Sequence, residues 1–221
     1  MGMRVSHRMA ALLLPSMLLL GGCATNRTYI SLDVPDPAIT VSGDKVAVID
    51  SVSDQRHFEA DPDDPSTPSL KQGDKYTLDG EGRKSAIARK RNGYGHAIGD
   101  IQLSQPQTVE TITRQLVASG LQQKGYRVAD AGSAPADALH VNVAIEEFWS
   151  WFTPGFWAVD MEAKLKTMLQ FSGGNDHTVE VSGYGKKTAQ TGRDGNYSQA
   201  YDRAFSDYQE KQKTALDQAG L

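Results

Sequence analysis

The sequence predicts an α+β fold: a two-layer sandwich in which a mostly antiparallel sheet of about four strands carries two helices on one face. Three observations lead to this prediction. An apolar, β-branched run is followed by an amphipathic helical stretch. Three stretches of alternating polarity come next, and a second amphipathic helical stretch ends the chain. Because each helical stretch has one apolar stripe, both can cover the apolar face of the sheet.

The elements are predicted in the following order. The run KVAVIDSV at Lys45–Val52 is apolar on both faces and indicates a buried strand. A helix is predicted over Thr108–Lys124, where Gly125 is suited to ending it. Alternation of apolar and polar residues predicts three further strands, at Leu139–Trp151, Trp157–Phe171 and Thr178–Thr188. A last helix is predicted between Asn196 and Gly220.

Residues 1–22 have the pattern of a cleaved secretory signal peptide, with Arg4 and Arg8 preceding an apolar run of about a dozen residues. A helix that spans a bilayer needs about 20 apolar residues, so this run is not expected to be a permanent membrane span. The residues Gly21, Gly22 and Cys23 resemble the lipobox of bacterial lipoproteins. That resemblance implies cleavage before Cys23 and acylation of its sulfur and its new amino terminus.

Cys23 is the sole cysteine of the sequence, so no disulfide is expected within the chain. Residues 23–43 are predicted to form the lipidated N-terminus and a tether. Residues 44–221 are predicted to form a single α+β domain that contains a long irregular segment at 53–105. By resemblance to sorted lipoproteins, Ala24 favours the outer membrane with the domain on the periplasmic side, and surface display stays open.

Loss of Arg4 and Arg8 with the signal reduces the 23 basic residues to 21, against 27 acidic ones. A net negative surface has no general attraction for nucleic acid, so no nucleic-acid partner is expected. The membrane is expected to be reached through the lipid anchor, and the partner is expected to be a protein of the cell envelope.

Three short motifs resemble the YajG-like family of bacterial outer-membrane lipoproteins. They are SDQR at Ser53–Arg56, KGYRV at Lys124–Val128 and AVDMEAKL at Ala158–Leu165. The resemblance implies a periplasm-facing lipoprotein domain of undefined role, with no cofactor and no catalytic residues. The segment 53–105 and the aromatic stretch described next depart from the family pattern.

The stretch EFWSWFTPGFW at Glu147–Trp157 is the densest aromatic region of the chain. Strand alternation predicts that its three tryptophans, Trp149, Trp151 and Trp157, point to the core. It predicts that Phe148, Phe152 and Phe156 point to the opposite, polar side. Three aromatic side chains around a turn either form an exposed apolar patch for a protein partner or a lipid headgroup layer, or are covered by the segment 53–105.

A basic run is the second candidate for a contact surface, with Arg83, Lys84, Arg89, Lys90 and Arg91. Such a run can contact phosphates, carboxylates or an acidic partner, or it can be a solvated loop balanced by nearby acidic residues. It lacks the GxxxxGK[ST] spacing of a phosphate-binding loop, so no nucleotide is expected.

These patterns favour a non-enzymatic binding or adaptor module, anchored in the cell envelope through Cys23, with no metal and no cofactor. A lipid carrier or transport accessory is the alternative, with Trp149, Trp151 and Trp157 lining a cavity between the sheet and the helices. A hydrolase ranks third and would require Ser51, Asp54 and His57 to come together in hydrogen-bonding geometry.

Overall fold

The computed structural model describes residues 27–36, 44–60, 62–70, 81–92, 94–173 and 176–221. The predicted signal peptide, Cys23 and most of the predicted tether lie outside these residues. Cleavage and lipidation therefore stay predictions. Within the described ranges, no helix is both long enough and apolar enough to cross a membrane.

One mixed sheet of eight strands organises the described chain. The strands are β1 (Thr28–Ile30), β2 (Val46–Asp54), β3 (Ala86–Arg91), β4 (Ala97–Leu103), β5 (Arg127–Val128), β6 (Leu139–Pro154), β7 (Val159–Ser172) and β8 (His177–Ala189). The helices are α1 (Glu81–Ser85), α2 (Val109–Gln123) and α3 (Asp194–Gln218), with a short 3-10 turn at Ala131–Ser133.

The 16-residue strand β6 is the centre of this sheet. One edge of β6 pairs antiparallel with β7 along its whole length, and β7 pairs antiparallel with β8. The other edge is shared by two parallel neighbours: β2 pairs with the first half of β6, and β3 pairs with the second half, where Ala88 lies opposite Ser150. β5 extends the sheet from β2, and β4 and then β1 extend it from β3.

The helices α2 and α3 contribute to one core on the same face of the sheet. Thr108 caps α2: the Thr108 and Thr111 side chains each bond the other residue's backbone N–H. The apolar stripe of α3, which includes Tyr201 and Phe205, packs on β7 and β8. The helix comes so close to β8 that a Cβ on Gly185 would lie 2.1 Å from the carbonyl oxygen of Ala200.

The predicted fold class is wrong in its sheet. The described residues form eight strands in a mixed sheet and three helices, not about four mostly antiparallel strands and two helices. The antiparallel run β6–β7–β8 and the helices α2 and α3 form as predicted. The missed strands β1, β3, β4 and β5 have two to seven residues each, too few for a visible period. β3 and β4 lie within the segment 53–105.

Candidate functional site

A β-bulge at Glu146 decides which side chains of β6 face the core. Ile145 pairs with Thr167 and Glu147 pairs with Lys166, which leaves Glu146 as the extra residue on its strand. Because strand side chains alternate with period two, one extra residue exchanges the two faces of everything that follows. Val141, Val143 and Ile145 face the core before the bulge, and Phe148 faces it after the bulge.

The predicted placement is therefore wrong for Phe148, Phe152 and the three tryptophans, whereas Phe156 is exposed as predicted. Phe148 is fully buried in the main core, with its ring 5.1 Å from that of Tyr201, and Phe152 packs against the same core. Trp149 lies on the opposite face of the sheet, in a small cluster with Phe58. Trp157 precedes β7 and is 84% exposed. The three phenylalanines consequently do not form a shared surface patch.

Next to the bulge, the fully buried Arg56 joins four segments of the chain. Its guanidinium forms two bonds with the Asp54 carboxylate, at 2.9 and 2.8 Å. It also donates to three carbonyl oxygens, those of Ala86 at 2.7 Å, Phe148 at 2.9 Å and Arg83 at 2.7 Å. The end of β2 is therefore locked to α1, β3 and β6, as a buried arginine with five donors allows.

Arg56 determines the direction in which the pKa of Asp54 is shifted. Burial alone would raise the pKa of Asp54, but the hydrogen bonds and positive charge of Arg56 outweigh it and hold this pKa below its ordinary value of 3.8. Arg83 lies 3.6 Å from the same carboxylate. The guanidinium groups of Arg56 and Arg83 each lie 5.0 Å from the centre of the Phe58 ring, as expected for cation–π contacts.

A cleft of about 290 Å³ opens beside the Arg56–Asp54 pair, on the sheet face opposite the helices α2 and α3. Trp149 and Trp151 line it from β6. The indole N–H of Trp149 donates to the carbonyl of Pro65 at 3.2 Å, and its ring stands edge-on to that of Phe58. The rest of the lining is polar apart from Pro68: His57, Glu59, Ser66, Thr67, Glu146, Glu147 and Lys164. The cleft thus has an aromatic floor and a mostly polar rim.

A ladder of ion pairs extends from the rim of the cleft across the strands. Lys164 pairs with Glu147 at 2.8 Å. Lys166 bridges the bulge residue Glu146 and Glu180, each at 3.0 Å. Hydrogen bonds to Glu180 and then Glu146 raise the pKa of Lys166, so it stays charged throughout the physiological range. This face of β7 and β8 is a solvated surface of paired charges. The neighbouring cleft differs from it by its aromatic lining.

A second exposed aromatic feature is the turn between β6 and β7. Phe156 is 87% exposed and Trp157 is 84% exposed. Their rings contact each other, with centroids 4.7 Å apart and planes at 85°. The segment 53–105 does not cover them in its described parts. We call Phe156 and Trp157 the aromatic tip.

The interpretation of the basic run as a solvated loop is wrong, because most of the run forms the largely buried strand β3. Most of its residues lie on β3, where Arg89 forms a buried ion pair with Asp100 at 2.9 Å and Lys90 pairs with Asp194 at 2.8 Å. Arg91 donates to the carbonyls of Gly95 and Pro62. Arg83 donates to the carbonyl of Arg56, and Lys84 is exposed. Arg83, Arg89, Lys90 and Arg91 therefore help to hold the fold together.

The residues of the hydrolase hypothesis are not brought together. The hydroxyl of Ser51 bonds the side-chain oxygen of Asn142 at 2.6 Å, and Asp54 is held by Arg56. The imidazole of His57 is 83% exposed and lies 3.7 Å from Glu59. In the part of the chain that the structure describes, no group of three or more histidine, cysteine or acidic side chains could hold a metal ion.

Sequence reasoning missed the cleft because it missed the bulge. One signal was present: unbroken alternation through Val143 and Ile145 would place the charged Glu147 in the core. A doublet of glutamates in an alternating strand is a reason to expect an irregularity there. No local pattern indicates that the segment from Phe58 to Leu70 covers Trp149, since that contact joins residues far apart in sequence.

The comparisons with known proteins include a likeness to a solved structure. No protein-family model and no curated protein matches the sequence. Among solved structures, the chain is similar to protein XCC0632 from Xanthomonas campestris, described by the family model DUF330. Sequence identity is 13%, the match covers 88% of this chain and 95% of the other, and the TM-score is 0.40. That protein is bacterial, and its description names a family of uncertain function that is not specifically the YajG-like one.

Proposed function

We propose that the protein is a non-enzymatic adaptor of the bacterial cell envelope, anchored by lipid at Cys23 and binding an envelope protein in the cleft beside the β-bulge. The observation that carries the proposal is the aromatic floor of this cleft, formed by Trp149 and half-buried Trp151 within an otherwise charge-paired face. An aromatic centre with a polar rim is the usual composition of a protein-binding hot spot.

The lipobox at Cys23 and the three YajG-like motifs support the anchored and periplasm-facing part of the proposal. The outer membrane is the proposed site, by resemblance of Ala24 to the sorting residue of lipoproteins. The lipid-carrier alternative receives no support from the tryptophans, because Trp149 and Trp157 do not lie between the sheet and the helices.

The charges of the rim indicate how a partner is held. Glu147 and Lys164 form an ion pair, and His57 lies near Glu59. A partner segment that covers Trp151 would exchange these exposed pairs for its own charged groups at little net cost, since exposed ion pairs contribute at most about 1 kcal/mol. Burial of Trp151 would supply most of the affinity, since Trp149 is already buried within the fold.

The test begins with photocrosslinking in intact cells. A photoreactive phenylalanine analogue replaces Trp151, and in a control it replaces Tyr184, which is 43% exposed on the same sheet face. We expect one discrete protein adduct from position 151 and none from position 184. The captured protein is then purified, and its affinity is measured for the wild-type protein and for Trp151→Ser. We expect the variant to bind at least about tenfold more weakly.

Two outcomes contradict the proposal. Equal affinity for the wild type and Trp151→Ser, with both folded by circular dichroism, would place the partner elsewhere. Failure of radiolabelled palmitate to enter the wild-type protein would remove the anchor.

A further inference from the structure

One end of the sheet collects the most exposed aromatic side chains of the described residues. The aromatic tip, Phe156 and Trp157, follows the end of β6. Tyr94, which is 90% exposed, lies in the loop that follows the end of β3. Because β3 runs parallel to β6, both connections leave the sheet at the same end. Large apolar side chains grouped in this way mark a surface that meets something other than water.

The N-terminal strand β1 is directed with its start toward the same end of the sheet. β1 runs parallel to β4, which runs antiparallel to β3, so β1 runs opposite to β6 and starts near the level of Ser150, in the second half of β6. The start of β1 is fixed in place, since Thr28 accepts a bond from buried Lys90 at 2.5 Å and Arg27 contacts Asp100. The first described strand therefore begins toward the end of the sheet that carries the aromatic tip, three strands from β6 in the sheet order.

The register limits how far Cys23 can extend from the domain. Four paired residues lie at one level of the sheet on neighbouring strands: Thr28, Ile101, Ala88 and Ser150. Cys23 is five residues before Thr28, and five residues span at most about 17 Å. The end of β6, Pro154, is about 13 Å beyond Ser150, and the tip lies past it. An acylated Cys23 can thus reach about as far as the tip, which allows the bilayer that holds it to contact Phe156 and Trp157.

We propose that the aromatic tip inserts into the interfacial layer of the same phospholipid bilayer that holds acylated Cys23, with Tyr94 as a flanking contact. The proposal rests on the lipid anchor of the proposed function. Tryptophan and tyrosine favour this layer because their rings are apolar and their N–H and O–H groups reach the wet headgroups. Arg193, exposed in the loop between β8 and α3 at this end, can pair with lipid phosphates. Insertion fixes the domain's orientation and turns the cleft sideways to the membrane.

The experiment uses the acylated full-length protein in vesicles of phosphatidylethanolamine and phosphatidylglycerol. With the sulfur of Cys23 acylated, a cysteine introduced elsewhere is the one free thiol. A polarity-sensitive fluorophore is attached to Phe156→Cys and, as a matched control, to Asp176→Cys in the hairpin at the opposite end of the sheet. We expect a blue shift and quenching by brominated acyl chains at position 156, and neither at position 176.

Each other outcome overturns a distinct claim. Palmitate incorporation with a water-exposed label at position 156 overturns insertion of the tip and leaves the anchor standing. A label shielded from water but not quenched by brominated lipid shows that a protein, such as a second copy of the chain, covers the tip, which also overturns the proposal. Absence of palmitate overturns the anchor itself and the tip proposal with it.

A second variant separates insertion from simple tethering. In Phe156→Ser with Trp157→Ser, the lipid still holds the protein on the vesicle, so the bound fraction should not change. A label at Tyr94→Cys should lose its quenching by brominated acyl chains and fall to the level of position 176. Retention of that quenching in the serine variant, with palmitate present, would overturn the role of the tip.

Discussion

Arg56 forms a bidentate ion pair with Asp54, and this pair is buried where β2 gives way to the segment that covers Trp149. Removing one partner of a buried, hydrogen-bonded pair leaves an uncompensated charge. We therefore expect Asp54→Asn to lower the free energy of unfolding at pH 7 by about 3 kcal/mol, measured by urea denaturation. Asp137→Asn, which changes an exposed carboxylate, should leave the midpoint unchanged and serves as the control.

The same pair predicts a pH dependence of stability. Because the pKa of Asp54 in the folded protein is held below 3.8, the unfolded chain binds a proton more readily than the folded one in acid. The contribution of Asp54 is fully present above about pH 5, where the carboxyl is ionised in both states. It is lost as the pH falls through the lower folded-state pKa. The difference between wild type and Asp54→Asn should therefore shrink between pH 5 and pH 2, and a constant difference would contradict this assignment.

The bulge at Glu146 predicts that two phenylalanines, which unbroken alternation would place on the same face, differ strongly in their contribution to the free energy of unfolding. Phe148→Ala removes a buried ring packed on Tyr201 and Phe205, and we expect it to lower the free energy of unfolding by about 3–5 kcal/mol. Phe156→Ala truncates an exposed ring and should change it by less than about 0.5 kcal/mol. Thermal melts of both variants check this, and equal losses would mean that β6 has no bulge.

The elements that the sequence predicts well are long and periodic. The helix predicted at Thr108–Lys124 is observed at Val109–Gln123, and the strand predicted at Leu139–Trp151 is observed at Leu139–Pro154. Period and length are local properties, so they are visible without knowledge of the fold. The faces of β6 beyond Glu146 could not be assigned in the same way, because the bulge shifts the period by one residue.

The buried cations of β3 explain why the segment 53–105 could not be interpreted from sequence. A run such as ARKR is typical of a solvated loop unless acidic partners are available. Here Arg89 pairs with Asp100 and Lys90 pairs with Asp194, which is more than 100 residues away in sequence. Only the tertiary fold brings these partners together. The candidate site has the same property, since Arg56 bonds the carbonyls of residues as distant as Phe148.

The close approach of α3 to β8 predicts that Gly185 has no room for a side chain. A Cβ there would lie 2.1 Å from the carbonyl oxygen of Ala200 and 2.4 Å from the backbone nitrogen of Ala204. Backbone atoms cannot move aside cheaply, so we expect Gly185→Ala to lower the free energy of unfolding by about 1–3 kcal/mol. Gly132→Ala, whose Cβ would meet nothing within 4 Å, is the control and should be neutral in the same urea titration.

Lys90 predicts a coupling between β3 and the first turn of α3. Its ammonium is nearly buried and pairs with Asp194 at 2.8 Å. Asp194→Ala should therefore lower the free energy of unfolding by about 1–3 kcal/mol, because it leaves a buried charge with only the hydroxyl of Thr28 as a described partner. Asp194 also stabilises the positive end of the helix dipole, so part of this loss is independent of Lys90.

A double-mutant cycle separates the two contributions of Asp194. In the Lys90→Met background no charge is left unpaired, and Asp194→Ala should cost only the interaction with the helix dipole, about 0.3–1 kcal/mol. Urea denaturation of the wild type, the two single variants and the double variant provides the four free energies. If Asp194→Ala costs the same in both backgrounds, the ion pair does not couple β3 to α3, and Lys90 is held in place by Thr28 and apolar packing alone.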